Sequence, residues 1–491
     1  MPELVLSRNW PHHATPAPAR RSGWLGDALA EEPDDGRSPS LQDELHCDVC
    51  IVGGGFTGLW TAIELLERAP GTDIVLLEAD VCGGGASGAN AGFLMPMWAR
   101  FSSMVAIGNH EEARWLGECS AHAVEEILGF ADKHGIDAGQ RRGEWMLAAS
   151  SPAQRGAWQR TLEDLHRAGI EPLRQISGAE ANAAVGTGSH YGGVVDPGCA
   201  TLQPAKLTRG LRRVALDAGV RIHERTPLLA LRTGPGGRTE AVTPYGRVTA
   251  DRTVLALNAW AGQLEDLGRR MVTIASDTML TEPVPEVFDE LGWGEGVSVC
   301  DARRRLNYYR RTPDGRLLFG KGGAGTAYGA TGPDTLWGPP LRGAEMRAQL
   351  RRLFPRLAEA PVESAWTAPV EYSVTSLPFA GWLRTVPNVC YATGYSGDGV
   401  GPSRLMAKVL ASLTLGVRDE WSRCSLATTP GGRIPADPLR SLGTRALMPA
   451  LRAVEAREDR GGRAPRAVKR LSDIDPSAFR SRRGDRAGAG R

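Results

Sequence analysis

The sequence predicts an α/β protein, with a Rossmann-like domain on a parallel sheet joined to an α+β part on a mixed or antiparallel sheet. Three observations predict it. The strand-forming run Asp48 to Val52 leads directly into Gly53-Gly54-Gly55-Phe56-Thr57-Gly58, an amphipathic helix follows, and a second strand, Ile74 to Leu77, ends on Glu78. Far along the chain another strand, Val389 to Thr393, meets the glycine-rich turn Gly394 to Gly401 and a helix from about Pro402 to Leu415. Between them, Leu306 to Phe319 reads as a hairpin, because Thr312-Pro313-Asp314-Gly315 supplies turn residues between two β-rich runs. A hairpin belongs to a mixed sheet, not to a purely parallel one.

Each residue type in the first motif has its own physical job. Gly53 permits the tight turn, Gly55 lets backbone amides approach a pyrophosphate, and Gly58 lets the helix pack close against the strand. Aligned peptide dipoles put about half a positive charge at the helix start, which suits a diphosphate. Glu78 is placed to accept hydrogen bonds from a ribose diol. One such fingerprint is enough for a nucleotide, so the run of small residues from Gly83 to Gly92, just beyond Glu78, calls for another explanation. Small residues let backbone come close to a flat or charged group, and Ser87 and Asn90 add hydrogen-bonding capacity along the path of an extended cofactor.

The remaining elements follow in order. Residues 1 to 45 carry Pro11, Pro16, Pro18, Pro33 and Pro39 among charged and small residues, a composition that favours an extended arm over an independent core, and the paired His12 and His13 there lack companion ligands for a metal. Glu111 to Lys133 reads as a long helix and Glu144 to Ala148 as a strand. Pro204 to Ala218 reads as a helix, with Leu207, Leu211, Val214 and Ala215 at helical spacing. Val254 to Leu257 is a short apolar strand leading into Asn258-Ala259-Trp260. From about 452 onward arginines accumulate with Gly and Pro and apolar periodicity fades, so the tail is expected to be disordered or only locally docked, with disorder after about 455.

Bulk properties bound the function. A chain of 491 residues is expected to form at least two domains, and a formal net charge of +2 gives no reason to invoke nucleic acid as the main partner. No apolar run is long enough to cross a bilayer and no secretory leader is evident, so cytoplasmic location is the expectation. The eight cysteines are scattered. Cys47 and Cys50 flank a predicted buried strand whose alternating side chains neither chelate one metal nor bridge easily, and no metal site is expected.

Taken in order, the opening fingerprint, Gly85 to Gly92, Asp196-Pro197 with Gln203-Pro204, Leu255 to Trp260, Tyr308 to Gly320 and Gly394 to Val400 give the chain a broad likeness over residues 47 to 420. In these motifs it resembles the D-amino-acid oxidase-like superfamily of FAD-dependent amine oxidoreductases, above all the bacterial gamma-glutamylputrescine oxidase-like members. The resemblance implies non-covalent FAD, with Gly53, Gly55, Phe56, Thr57 and Gly58 at the pyrophosphate and Glu78 with Ala79 at the adenosine ribose. It implies that Gly85, Ala86, Ser87, Asn90, Ala91 and Gly92 lie along the flavin, and that Tyr395, Ser396, Gly397, Asp398, Gly399 and Val400 close on its carbonyl end. Leu228 matches a position whose backbone meets the adenine, and Asn258 and Ala259 match a turn beside the cofactor. It further implies a discontinuous organisation: an arm at 1–45, an FAD-binding domain from 46–105, 190–265 and 375–420, a substrate domain from 106–189 and 266–374, and a C-terminal extension at 421–491.

The chemistry expected is oxidation of a primary or secondary amine to an imine by hydride transfer to the flavin, with oxygen or another acceptor taking the electrons. Such chemistry needs orientation and a dry pocket, not a side-chain nucleophile. Tyr308 and Arg310, two apart on a strand, project to one face, where they either line the substrate cavity or pack as core. Asp398 either attracts a protonated amine at the flavin edge or caps the following helix. Amino-acid oxidases of the superfamily carry a carboxylate-binding arginine where this chain has Ala368. The cysteine that attaches flavin in sarcosine oxidases is missing from Trp366 to Pro369. Lys321 is a candidate for oxygen activation. An amino-acid or N-alkyl amino-acid oxidase and a non-catalytic flavin-binding protein remain the alternatives.

Overall fold

The computed structural model describes residues 3–5, 21–32, 38–326, 332–436, 438–474 and 479. Its first sheet is built on five parallel strands in the order Arg221–His223, Ile74–Leu77, Glu44–Val52, Arg247–Leu255 and Val389–Thr393. Burial on both faces explains why Val49 to Val52 and Ile74 to Leu77 are apolar without a break. Val49 and Ile51 turn toward one face, where they pack with Leu59, Trp60, Leu207 and Leu405 from the helices Phe56–Arg68, Pro204–Asp217 and Pro402–Leu415. Cys50 and Val52 turn to the other face and join Leu231, Ala241 and Val248 beneath the antiparallel strands Ala230–Thr233 and Thr239–Val242. The period of two thus divides one strand between two cores.

The second sheet runs Val362–Ser373, Met271–Thr281, Leu317–Thr326, Asn307–Arg311, Ser298–Asp301, Arg141–Ala148, Gly193–Thr201 and Phe93–Leu94. Its neighbours are antiparallel except that Ser298–Asp301 lies parallel to Arg141–Ala148, so the sheet is mixed. The hairpin forms where turn residues were read, with Arg311 opposite Leu317 and Gly315 at φ +79°. One boundary is corrected. Gly193–Thr201, assigned by resemblance to the FAD-binding segment 190–265, pairs with Arg141–Ala148 in this second sheet. A strand buried on both faces carries no local mark of which sheet it will join.

Both ends depart from the expected unstructured chain. Gly23–Ala30 is a helix, not extended arm: Ser22 Oγ caps it by accepting from Leu25 N–H, and Trp24, Leu25 and Ala28 are buried. Toward the other end, Leu439–Glu458 and Arg466–Ser472 are helices, which corrects the disorder expected after 455 over that stretch. The reason is ionic as well as apolar. Leu451 and Val454 are buried, and Glu455 and Asp459 find arginine partners in the loop between the strands Ser298–Asp301 and Asn307–Arg311 of the second sheet. His12, His13 and the arginines 480–486 lie outside the described residues. Among the described residues no helix is long and apolar enough to cross a membrane.

Candidate active site

A cavity of about 890 Å³ runs from the carboxyl ends of the parallel strands to the face of the mixed sheet. Its position at strand ends is where open α/β sheets bind ligands. One end is the glycine cradle. Gly53 sits at φ +113°, and a Cβ there would lie 2.4 Å from Ala256 O; a Cβ on Gly58 would lie 1.9 Å from Gly53 O. Only glycine satisfies both. Gly58 therefore shapes the cradle without lining it, whereas Gly53, Gly55, Phe56 and Thr57 line the cavity at the start of the helix Phe56–Arg68.

Glu78 and Ala79 line the same end. Glu78 already accepts from Gly54 N–H at 2.6 Å and Asp80 N–H at 2.9 Å. Burial nonetheless pushes its carboxyl up to about 7, against the pull of those two backbone bonds. Leu228 lines this end as well, beside Thr226.

The loop after Glu78 is fastened from behind. Every backbone carbonyl from Ala86 to Gly92 accepts a hydrogen bond from within the protein. Asn90 Nδ2 takes those of Ala86 and Ser87, Ser22 Oγ that of Gly88, Trp366 Nε1 that of Ala89, Trp24 Nε1 that of Asn90, Arg310 Nε that of Ala91 and Leu202 N–H that of Gly92. Asn90 Oδ1 accepts in turn from Gly92 N–H at 2.8 Å. Asn90 thus folds the loop on itself, and Ser87 Oγ accepts from Phe56 N–H at 2.9 Å, joining the loop to the first cradle. Gly85, Ala86, Ser87, Asn90 and Ala91 line the cavity; Gly92, at φ +70°, packs against Leu202 O behind it.

This arrangement corrects the expectation for Arg310. Its guanidinium is buried, donates to Ala91 O and Leu202 O, each at 2.7 Å, and lies over the Trp24 ring. It is a strut behind the loop Ala86 to Gly92 and does not line the cavity. Tyr308, on the same strand face, does line it; the phenol oxygen lies 2.9 Å from Ser276 Oγ and 2.8 Å from Thr278 Oγ1. Lys321 is also away from the cavity, donating to Arg305 O at 2.9 Å.

All six residues of the turn Tyr395 to Val400 line the cavity. Tyr395 OH and Thr57 Oγ1 are 2.6 Å apart, which ties this turn to the first cradle. Ser396, at φ +57°, spends its hydroxyl on Gly394 O and Ser373 N–H. Asn258, at φ +48°, lines the cavity, and its Oδ1 is buried with no hydrogen-bond partner among the described residues, while Ala259 lies behind it in the core. A glycine cradle at a helix start, an orphaned acceptor and an open strand-end cavity are what an extended dinucleotide cofactor requires, so these residues fit FAD.

Several lining residues carry no motif and went unread in the sequence. Glu371 accepts from Tyr395 N–H at 3.1 Å, and burial pushes it up to about 7. Its signal is an acid inside the buried later part of the strand Val362–Ser373. Arg100 donates to Ser396 O at 3.2 Å and, among the described residues, has no carboxylate within ion-pair distance. It faces Asp398, which burial pushes up to about 7, with Arg100 lowering it and Asp196 raising it. Trp145, Phe93, Tyr372, Asp301 and Arg303 complete the wall. Among the described residues no group of His, Cys, Asp and Glu is arranged to hold a metal ion.

Comparison with known proteins agrees with this geometry. Residues 48–413 match the family model for FAD dependent oxidoreductases. The chain is 30% identical over 419 residues to the probable oxidoreductase OrdL of Rhizobium meliloti, covering 83% of this chain and 92% of that protein. It is 29% identical over 412 residues to the gamma-glutamylputrescine oxidoreductase of Escherichia coli, covering 82% and 92%. Among solved structures it superposes on glycine oxidase from Geobacillus kaustophilus with a TM-score of 0.63 at 20% identity, covering 78% of this chain and 98% of that one, a likeness of fold.

Proposed function

This chain belongs to the FAD dependent oxidoreductase family, and from that premise we propose that it oxidises the C–N single bond of a primary or secondary amine to an imine, which water hydrolyses to a carbonyl compound and an amine. FAD supplies the hydride acceptor and the route to oxygen or another electron acceptor. The protein's part is to bind the amine, deprotonate it and keep water away. Asp398 carries the reading. It is a carboxyl that lines the cavity facing Arg100, with a pKa near neutrality. A carboxylate there attracts a protonated amine and, with a pKa of about 7, exchanges a proton with it near physiological pH. Trp145, Phe93, Tyr308 and Tyr372 wall the cavity with aromatic surface. Ala368, where amino-acid oxidases of the superfamily carry an arginine, offers no clamp for an α-carboxylate.

A second reading, an amine that also bears a carboxylate, is favoured by Arg100, whose guanidinium has, among the described residues, only a backbone carbonyl as hydrogen-bond partner. Anaerobic titration of the flavin with a panel of amines tests both. Bleaching by simple diamines and monoamines supports the first reading. Bleaching confined to N-alkylglycines or D-amino acids removes it in favour of the second.

A further inference from the structure

Near the end of the chain the arginines are interspersed in sequence with Glu455, Glu458, Asp459 and Asp473. The fold separates the two signs. Glu455 accepts from Arg305 N–H at 3.2 Å and from Arg305 Nη2 at 2.6 Å. Asp459 accepts from Arg303 Nη2 through Oδ1 and from Gln349 Nε2 through Oδ2, the latter at 3.0 Å. Glu458 accepts from Gln154 Nε2 at 3.3 Å, and Asp473 pairs with Lys469 at 3.1 Å. Three of these acids thus turn inward from the end of the helix Leu439–Glu458, two of them onto the loop 302–306, whose Ala302, Arg303 and Leu306 line the cavity.

Arg457, Arg460, Arg463, Arg466 and Arg470 are left outside. All five are exposed, and none has a carboxylate within ion-pair distance among the described residues. The helix Arg466–Ser472 packs against the helix Leu439–Glu458 and buries Ser472. From Arg463, before this short helix, to Ile474, just after it, residues at steps of three and four face water: Arg463, Arg466, Ala467, Arg470, Leu471 and Ile474 are all exposed. Leu471 at 38% and Ile474 at 42% are large apolar side chains left in solvent beside the arginines.

We propose that this face docks the protein on an anionic lipid surface, with the arginines among the headgroups and Leu471 and Ile474 at the boundary with the acyl chains. A cationic face alone suits any polyanion. Two exposed apolar side chains in the same stripe gain from entering a bilayer interface and gain nothing from a nucleic-acid phosphate backbone, which decides for lipid. Since acids of the same hairpin hold the loop 302–306, docking fixes one wall of the cavity beside the bilayer. The stretch lies beyond residue 413, where the match to the family model ends, and its role is independent of the amine-oxidising reading.

The test is co-sedimentation of the full-length, FAD-loaded protein with vesicles of phosphatidylcholine, alone or mixed with phosphatidylglycerol, read as flavin absorbance in the pellet, which requires no turnover. Partition into the anionic vesicles is expected to exceed that into the neutral ones at least about tenfold at low salt, and to be lost near 1 M salt, where the screening length falls to about 3 Å. Arg463→Gln, Arg466→Gln and Arg470→Gln together are expected to weaken it about 100-fold, since each arginine at an anionic surface is worth about a factor of five. Leu471→Ser with Ile474→Ser is expected to weaken it about tenfold and to leave the salt dependence in place. Both variants change only exposed side chains and are expected to keep the wild-type melting temperature. Equal partition into neutral and anionic vesicles, partition into neither, or a triple arginine variant that partitions like the wild type overturns the proposal. So does binding of a random-sequence DNA duplex as tight as that of the anionic vesicles, or a Leu471 and Ile474 variant as well bound as the wild type, since either marks a general polyanion site. If a variant fails to fold, the lipid selectivity and the DNA comparison of the wild type still decide.

Discussion

The hydroxyls of Thr57 and Tyr395 lie 2.6 Å apart, although 338 positions separate them in the chain. Thr57 stands at the start of the helix behind the first glycine cradle, and Tyr395 opens the second cavity-lining turn, Tyr395 to Val400. Their contact joins the two turns of one cavity. Both side chains are buried, so either hydroxyl left alone loses its partner without gaining water. Thr57→Val and Tyr395→Phe are each expected to weaken FAD binding by about 1–2 kcal/mol, measured as the dissociation constant from flavin fluorescence. The double variant is expected to cost less than the sum of the two, since the second change removes an already orphaned group.

Arg310 is a second test of the same site from behind. Its Nε and Nη2 hold Ala91 O and Leu202 O, and Trp24, which stacks on it, holds Asn90 O. Arg310→Met removes the charge but strands two buried carbonyls. The expected outcome is about 2–4 kcal/mol of lost stability in denaturant unfolding, with protein purified largely free of FAD despite the absence of any direct contact between this residue and the cavity.

What was legible in the sequence follows from how local each constraint is. The glycine cradle could be read because Gly53 and Gly58 each meet backbone that excludes a Cβ, and such exclusions leave glycine at set spacings. Tyr308 and Arg310 show the limit. Alternation sets the face of a strand, but not how far along that face the cavity extends, so one residue lines the site and the other braces it. The bonds from Ser22 and Trp24 to the loop Ala86 to Gly92 span 66 positions, and the pair Arg303 with Asp459 spans 156. Side-chain pairings across such distances leave no periodic trace. Glu371 was the one missed residue with a local signal, an acid inside a buried strand.

Asp398 predicts a pH profile. Burial raises its carboxyl to about 7, and only the ionised form attracts a protonated amine. In kcat/KM against pH, the acid limb is expected to rise with an apparent pKa near 7. Asp398→Asn is expected to flatten that limb and lower kcat/KM by about 10²-fold, in the range for loss of a positioned acid or base. A variant profile with the limb intact assigns it to another group.

Glu371 predicts a pH-dependent stability of definite sign. Its folded pKa is raised from 4.5 to about 7, so between those values the folded protein holds a proton that the unfolded chain has released. Stability from this group is fully present below pH 4.5 and is lost as pH rises through 7. Glutamine resembles the protonated form and can still accept from Tyr395 N–H through its amide oxygen. Glu371→Gln is therefore expected to match the wild type near pH 4.5 and to exceed it by at most about 2–3 kcal/mol near pH 8. Chemical unfolding of the apoprotein across that range is the measurement. A wild-type advantage that grows with pH instead means that the ionised carboxylate is the stabilised form, and that its bonds from Gly394 and Tyr395 outweigh the cost of burial.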